Sequence, residues 1–367
     1  MAQFTPQDIQ MMSRAIDLAK GGIYTTAPNP NVGCVIVNND QIVGEGFHFR
    51  AGEPHAEVHA MRMAGEKTIG ATAYVTLEPC SHYGRTPPCA EGLIKAKVAK
   101  VICAMQDPNP VVAGRGIKML RDAGIEVEVG LLEQDALALN PAFIKKMKTG
   151  MPFVQLKMAA SIDGQTALKN GQSQWITSSQ ARQDVQAFRA QSGAILSTSK
   201  TVIEDNASLT VRWSELPASI QAIYPEQALR QPSRVILDRK QTLTPDLRFF
   251  QSQTESIIIA PSNEHFDELD WSKQLELLPI FQTLAKTYSI NHLWVEAGAT
   301  LSRSLIREGL VDELILYIAP KLMGNDGRGL LGDLGLTSLE QAIDLDIKEV
   351  RMVGKDLRII ANPISKE

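Results

Sequence analysis

The first 150 residues alternate between segments with apolar residues at helical spacing and short apolar runs typical of strands. The segment 6–20, for example, has the period of an amphipathic helix, whereas 33–38 is an almost continuous apolar run. The pattern predicts helices at 6–20, 54–64, 90–96 and 114–123, and strands at 33–38, 41–47, 72–76, 100–104 and 126–129. Because helices and strands alternate, we expect an α/β sheet with helices packed on both faces.

The remaining residues repeat this alternation and therefore need a sheet of their own. Their strands are predicted near Phe153, Gly193, Arg234, Ser256, Asn291 and Glu313. Between the two halves, 136–148 is predicted as a helix with a basic end, and a break at 150–152 precedes the next strand. We expect two domains, residues 1–150 and residues 151–367.

A chain of 367 residues has the length of about two to two and a half typical domains. With 44% hydrophobic and 21% charged residues, it has enough apolar side chains for two cores, and its composition excludes intrinsic disorder and disulfide-dense scaffolds. The net charge is −4, so the chain lacks the basic field that holds long nucleic acids. The expected partner is a small molecule and not a nucleic acid.

No apolar run reaches the roughly 18 to 20 residues that span a bilayer, and the polar start of the chain does not resemble a signal peptide. These features predict a cytoplasmic protein without a membrane partner. All four cysteines lie in the first third of the chain, and they are too few for a disulfide framework in a chain of this length. Four of the six histidines also precede residue 104, whereas all four tryptophans follow residue 174. The first half is therefore the place to look for a metal or catalytic site.

His55, Glu57, Cys80 and Cys89 form the strongest chemical pattern in the sequence. One imidazole and two thiolates are ligands that zinc accepts, and a tetrahedral ion held by three protein groups keeps its fourth position for water. Zinc lowers the pKa of such a water, and Glu57 can pass its proton to a leaving amine. The H-x-E and P-C motifs match the signature of zinc-dependent nucleobase deaminases, although eight residues separate the two cysteines instead of two. The pattern predicts hydrolytic deamination.

Another interpretation treats Cys80 and Cys89 as buried structural thiols beside an unrelated surface histidine. His59 needs separate consideration because it lies four residues after His55 and shares its helical face. A fourth ligand would close the site and remove the position for water. We therefore expect His59 to pack beside the site without binding the metal.

Four parts of the first half together resemble the bifunctional deaminase/reductase family of riboflavin biosynthesis. They are 27–33 (APNPNVG), the His55/Glu57 pair, 79–89 (PCSHYGRTPPC) and 107–110 (DPNP). A long insert between the zinc cysteines is normal in that family. The resemblance implies that the first domain has a cytidine-deaminase-like fold.

The resemblance also implies the roles of individual residues in the first domain. Zinc would bind to His55, Cys80 and Cys89, and Glu57 would be the catalytic proton shuttle. The pyrimidine and ribose-phosphate pocket would be lined by Asn29, His48, His82, Asp107 and Asn109.

The second half contains no G-x-G-x-x-G motif after a strand, so a Rossmann domain is not predicted. Taken alone, 156–164 and 174–178 predict only a strand, a glycine turn and a capped helix. Together with 201–212 and 295–301, they resemble the reductase half of the same family, which implies a dihydrofolate-reductase-like fold and NADPH. At 206–208 the chain has Asn-Ala-Ser where the family pattern implies an Asp-Pro turn, so this loop departs from the family pattern.

In the second domain, the resemblance assigns NADPH contacts to Ala159, Trp175, Thr201, Asp205 and Gly298. It assigns substrate contacts to Lys157, Ser173, Arg189, Leu209, Arg212 and Glu296. The guanidinium groups of Arg189 and Arg212 suit a phosphate monoester, although solvated surface charges explain these two residues equally well. Gly298 before a helix offers free N–H groups to a pyrophosphate.

These implications combine into a bifunctional enzyme of riboflavin biosynthesis. Residues 1–150 would use zinc to deaminate a diaminopyrimidinone ribosylamino 5′-phosphate, and residues 151–367 would use NADPH to reduce the ribosyl group to ribityl. We expect the enzyme to form homo-oligomers. One alternative is a nucleobase deaminase that acts on nucleic acid and carries a non-catalytic C-terminal module. Another is a binding protein with a structural zinc, which would need a fourth ligand.

Overall fold

The computed structural model describes residues 4–83, 87–110 and 112–364. The chain divides into two compact units, residues 1–150 and 151–367. Both units are α/β, as the alternating pattern predicts. Within the described ranges, no helix combines the length and the apolar composition needed to cross a bilayer.

The first unit is a five-stranded sheet with helices on both faces. Its strands are β1 (Gly33–Asn38), β2 (Gln41–Phe47), β3 (Thr72–Val75), β4 (Lys100–Cys103) and β5 (Glu126–Val129). Its helices are α1 (Pro6–Ala19), α2 (Ala56–Ala64), α3 (Cys89–Lys95), α4 (Arg115–Asp122), α5 (Glu133–Leu139) and α6 (Pro141–Thr149). The strand order is β2-β1-β3-β4-β5. Strands β3, β4 and β5 are parallel, whereas β1 is antiparallel to both of its neighbours.

Helix α2 packs directly on β2 because two glycines leave room for its backbone. A Cβ atom at Gly44 would lie 2.1 Å from the carbonyl oxygen of Ala60, and one at Gly46 would lie 2.4 Å from Cβ of His59. No real Cβ tolerates such distances, so any larger residue would push the helix away from the sheet. The two glycines therefore fix the position of the helix that begins directly after His55.

The single helix predicted over 136–148 is wrong, because α5 ends before Asn140 and α6 begins at Pro141. Proline has no backbone N–H and suits the first position of a helix, so it starts a new helix here. Asn140 is held in the break by Asn31, whose N–H donates to Asn140 Oδ1 at 2.7 Å and whose carbonyl accepts from Asn140 Nδ2 at 2.9 Å.

The second unit is built on an eight-stranded sheet with the order β10-β9-β8-β11-β6-β12-β15-β14. Its strands are β6 (Phe153–Ser161), β7 (Gln165–Ala167), β8 (Ala194–Thr198), β9 (Ser233–Leu237), β10 (Ser256–Ile259), β11 (His292–Glu296), β12 (Glu313–Ala319), β13 (Arg328–Gly329), β14 (Leu345–Val353) and β15 (Asp356–Pro363). Its helices are α7 (Ser179–Gln191), α8 (Ser199–Asp205), α9 (Ala218–Gln221), α10 (Leu277–Lys286) and α11 (Ala299–Arg307). The six strands from β10 to β12 are parallel, and β15 and β14 continue the sheet as an antiparallel hairpin.

Six of these strands begin at or beside the predicted positions, whereas the hairpin β14–β15 and the short pair β7–β13 were not predicted. Apolar clusters lie on both faces of the large sheet. On one face, the Trp294 ring of β11 stacks on Phe188 of α7 with centroids 4.9 Å apart and planes 8° apart. This contact fixes α7 on the sheet, and with it the neighbouring Arg189.

Candidate active sites

Three zinc-type ligands meet in the first unit, each from a different segment. His55 immediately precedes α2, Cys89 is the first residue of α3, and Cys80 lies in the connection after β3. The Nδ1 atom of His55 is 3.6 Å from Cys80 Sγ and 3.3 Å from Cys89 Sγ. All three ligand atoms lie within 4.8 Å of one another. The sequence prediction of a three-ligand cluster therefore agrees with the geometry.

The donor set fits tetrahedral zinc. With Zn–N near 2.0–2.1 Å and Zn–S near 2.3 Å, tetrahedral angles place nitrogen and sulfur about 3.6 Å apart, close to the 3.6 and 3.3 Å observed. The hydrogen bond between the two thiol groups lowers the pKa of Cys80 to about 4 and raises the pKa of Cys89. Zinc binds cysteine as the thiolate, so the lowered pKa of Cys80 favours metal binding.

Glu57 lies in the first turn of α2, two residues after His55, and is only 3% exposed. Burial raises its pKa, since a charged carboxylate loses hydration there. Its surroundings include the Cys89 thiol, which hydrogen-bonds to it. A buried carboxyl group with a raised pKa next to the ligand cluster is suited to take up and release a proton.

Asn29 and His48 lie beside the ligand cluster and contact each other. Asn29 Nδ2 is 3.1 Å from His48 Nε2, and His48 Nδ1 is 3.1 Å from the carbonyl oxygen of Pro54. The His48 ring packs edge-on against His55, with ring centroids 5.2 Å apart. Burial lowers the pKa of His48, which favours its neutral form. His48 thus contacts both the ligand His55 and Asn29, and it links the two residues.

The segment after β4 contains two more of the predicted pocket residues. Asp107 Oδ1 accepts the backbone N–H of Asn109 at 2.8 Å, and burial raises the pKa of Asp107. His82 is exposed. A positive charge on its ring would oppose the rise in the pKa of Asp107, so the two side chains lie on the same side of the unit. Part of the motif 79–89 lies outside the described residues.

Glu78 belongs to the motif that contains Pro79 and Cys80, but the sequence assigned it no role. Its carboxylate is 4% exposed and accepts four backbone N–H groups from the segment 107–117. The available signal was an acidic residue between an apolar strand and a metal-ligand motif, because a buried carboxylate needs several hydrogen-bond donors.

The second unit contains a cleft of about 520 Å³ beside the second half of β6 and the carboxyl ends of β8 and β11. Parallel strands end at one edge of a sheet, and ligands commonly bind there. The predicted residues that line the cleft are Lys157, Ala159, Ser173, Thr201, Asp205, Glu296 and Gly298. The structure therefore brings together predicted NADPH and substrate contacts in one cavity.

Gly298 precedes α11, and a Cβ built on it would meet no protein atom within 4 Å. A side chain there would project into space that a ligand can use, and the first N–H groups of α11 have no partner within the helix. The open glycine and the helix start fit the pyrophosphate of NADPH.

A buried ion pair borders this cleft. The Arg189 guanidinium donates to both oxygens of Glu296 at 2.5 and 2.9 Å, and to the carbonyl oxygen of Thr210 at 3.0 Å. Burial alone would raise the pKa of Glu296, but Arg189 and Lys157 outweigh burial and hold this pKa at about 2. Burial lowers the pKa of Lys157, and the nearby Arg189 adds to that effect.

Four of the predicted residues are not among those that line the cleft. Trp175 is 64% exposed, and the Arg182 guanidinium lies 4.5 Å from the centroid of its ring. The Leu209 side chain is buried in the apolar core. Arg212 forms an exposed bidentate pair with Glu215 at 2.5 and 2.7 Å. Arg189, as described above, is committed to Glu296.

Two family models match the chain. The cytidine and deoxycytidylate deaminase zinc-binding region matches residues 5–105, and the RibD C-terminal domain matches residues 152–359. The riboflavin biosynthesis protein RibD of Escherichia coli is 54% identical, with 96% of this chain and 98% of the relative covered. The RibD protein of Haemophilus influenzae is 52% identical, with 99% of each chain covered.

Solved structures agree with these matches. The RibD structure from Acinetobacter baumannii has a TM-score of 0.91 and 47% identity, with 98% of this chain and 99% of that chain covered. A diaminohydroxyphosphoribosylaminopyrimidine deaminase/5-amino-6-(5-phosphoribosylamino)uracil reductase from Thermotoga maritima has a TM-score of 0.84 and 33% identity, with the same coverage. The predicted fold class is confirmed: a cytidine-deaminase-like domain precedes a dihydrofolate-reductase-like domain.

We predict that Cys89→Ser abolishes stoichiometric zinc binding, because it removes one of three ligands. Glu57→Gln should keep one zinc per chain but lower the deaminase kcat by roughly 10²- to 10⁴-fold, the usual contribution of a proton-transferring group. Zinc per chain by elemental analysis and initial deamination rates check both expectations. Cys103→Ala, at a buried cysteine outside the cluster, should retain the metal. Full turnover by the Glu57 variant would contradict the assignment.

Proposed function

The chain belongs to the RibD family of bifunctional riboflavin-biosynthesis enzymes, and we propose that the residues described above carry out its two reactions. It is a zinc-dependent deaminase and an NADPH-dependent reductase. The deaminase acts on a diaminopyrimidinone ribosylamino 5′-phosphate, and the reductase converts the ribosyl group of the product to ribityl. The observation that carries the residue assignment is the convergence of His55, Cys80 and Cys89 with Glu57 beside them.

For the deaminase, His55, Cys80 and Cys89 would hold the zinc, which would supply a water of lowered pKa for attack on the ring carbon that bears the amino group. Glu57 accepts a proton from that water on its carboxylate and donates a proton to the leaving amino nitrogen. Its burial suits both steps, since the raised pKa makes the protonated carboxyl easier to form than at an exposed glutamate. Asn29 and Asp107 offer amide and carboxylate groups to the pyrimidine, and His48 keeps His55 in place.

For the reductase, NADPH supplies the hydride that reduces the sugar carbon. Lys157 donates a hydrogen bond to the sugar oxygen and offsets the negative charge that develops there. Its lowered pKa allows it to release a proton more readily than an exposed lysine does. Glu296, held ionised by Arg189, keeps Lys157 at the cleft wall by charge attraction.

The two arginines predicted to bind the substrate phosphate have different environments. Arg189 is buried and its donors are used by Glu296 and Thr210. Arg212 is 43% exposed, and its pair with Glu215 is open to exchange with a phosphate. Arg212 is therefore the phosphate-binding residue in this proposal, whereas Arg189 acts by orienting Glu296.

We further propose that the enzyme forms a homo-oligomer in which the edge strand β14 contacts a second copy of the chain. This edge strand exposes Leu345, Ile347, Val350 and Met352, with exposed fractions of 44%, 58%, 54% and 61%. A bulge between Ile347 and Glu349 keeps all four on one face of the strand. A contiguous apolar patch on an edge strand is unfavourable in water and is commonly covered by another chain.

The enzyme is further proposed to act in the cytoplasm on a free small molecule. None of the four cysteines forms a disulfide bond, which suits a reducing compartment. The net charge of −4 disfavours the alternative of a deaminase that acts on nucleic acid. Recovery outside the cytoplasmic fraction, or salt-sensitive retention of labelled single strands, would count against these statements.

We predict that Arg212→Ala weakens reductase kcat/KM for the phosphorylated substrate by roughly 1.5–3 kcal/mol, the range for charge-assisted hydrogen bonds. The same variant should treat a dephosphorylated analogue like the parent enzyme. Arg189→Ala should impair both substrates equally, because it leaves the buried Glu296 unpaired. Steady-state kinetics with both substrates separate the two roles, and equal losses for both substrates in Arg212→Ala would show that Arg212 does not bind the phosphate.

The interface has its own test. Replacing Ile347 and Val350 with lysine should dissociate the oligomer, because the apolar face of β14 then carries two buried charges. Ile69→Lys is the control, since Ile69 is equally exposed at 57% but lies in the first unit. Light scattering after size-exclusion chromatography gives the mass, and an unchanged mass in the double variant would rule out β14 as the interface.

A further inference from the structure

Glu78 is the most densely hydrogen-bonded carboxylate near the ligand cluster, and neither reaction step uses it. Its Oε2 atom accepts the N–H groups of Asp107 at 3.1 Å and Gly114 at 2.9 Å. Its Oε1 atom accepts the N–H groups of Gly116 at 2.8 Å and Ile117 at 3.2 Å. One oxygen therefore holds the two ends of the 107–114 loop, and the other holds the first turn of α4.

The backbone of Glu78 strengthens this connection. Its N–H donates to the carbonyl oxygen of Met105 at 3.0 Å, two residues before Asp107. The ligand Cys80 follows Glu78 by two residues, with only Pro79 between them. Because proline restricts the backbone, a shift of Glu78 is passed on to Cys80 with little local adjustment. Glu78 thus joins a zinc ligand to the segment that carries Asp107 and Asn109.

Gly116, in the first turn of α4, also lies very close to the segment that carries Glu78. A Cβ at this position would lie 2.0 Å from the carbonyl oxygen of Pro79 and 3.3 Å from Glu78 Oε1. The helix start and the Pro79 backbone are therefore in direct contact, and no side chain fits between them. The Glu78 carboxylate and the missing side chain at Gly116 therefore both fix the distance between the start of α4 and the Glu78–Pro79 backbone.

We propose that Glu78 is a positioning residue of the deaminase, which sets where the 107–109 segment holds the pyrimidine relative to Cys80 and the reacting water. The inference rests on the proposed function in one respect, since it takes Asp107 and Asn109 as substrate contacts. The Glu78 carboxylate is hydrogen-bonded to backbone N–H groups, so it acts on the site through the position of the 107–109 segment. Loss of its hydrogen bonds should therefore weaken substrate binding more than turnover or zinc affinity.

The test uses the full-length, zinc-loaded enzyme carrying Glu78→Gln. The amide has the same shape, but it accepts through one oxygen only, and its NH₂ group faces two backbone N–H groups. We expect faster hydrogen–deuterium exchange in peptides covering 107–117, a deaminase KM raised roughly tenfold, and little change in kcat. Zinc per chain and reductase activity should equal those of the parent, and Glu66→Gln, at an exposed glutamate, should leave all five quantities unchanged.

Gly116→Ala provides a second variant that disturbs the same contact from α4 and should reproduce the rise in KM with zinc retained. The inference is overturned if exchange and KM in Glu78→Gln match the parent. It is also overturned if zinc content, kcat and KM all deteriorate together, since Glu78 would then be only structural.

Asn109→Ala separates this inference from the proposed function. A raised KM in Asn109→Ala with a normal KM in Glu78→Gln overturns the positioning role and leaves the pocket assignment intact. A normal KM in Asn109→Ala with a raised KM in Glu78→Gln removes Asn109 from the pocket and supports the positioning role through Asp107.

Discussion

Both active sites depend on one constraint, which is that neighbouring parallel strands end at the same edge of a sheet. In the first unit, β3 leads into Glu78 and Cys80, and the adjacent β4 leads into Asp107. In the second unit, β8, β11 and β6 are neighbours, and residues from the second half of β6 and from the carboxyl ends of β8 and β11 line one cleft. Residues that are far apart in sequence are therefore brought together by the pairing of the strands that carry or precede them.

The two units handle buried charge in different ways. In the first, two cysteine side chains and the buried carboxyl group of Glu57 lie beside His55, and burial raises the pKa of that carboxyl group. In the second, Arg189 and Glu296 neutralise each other, which keeps a carboxylate ionised at the cleft wall and lowers no barrier by itself. The first arrangement suits a metal and a mobile proton, whereas the second suits an anionic cofactor and a polar sugar.

The sequence predicted those parts of the fold and sites that depend on local pattern. Strands β1 to β6 follow from their apolar runs, and the three ligands follow from residue types that zinc requires. The break at Asn140 was not predicted, although Pro141 signalled it. The ion pair between Arg189 and Glu296 could not be predicted, because the two residues are 107 positions apart and no local sequence pattern links them. The role of Glu78 was hidden for the same reason, since its partners become neighbours only when β3 and β4 pair.

The central claim is that one chain carries two separate active sites, and comparing both half-reactions in two variants tests it most directly. His55→Ala should abolish deamination and leave NADPH-dependent reduction of the supplied deaminated intermediate near the parent rate. Gly298→Val should do the reverse, because its side chain would project into space left open for the cofactor. Loss of both activities in each soluble, folded variant would contradict the account and indicate a single shared site.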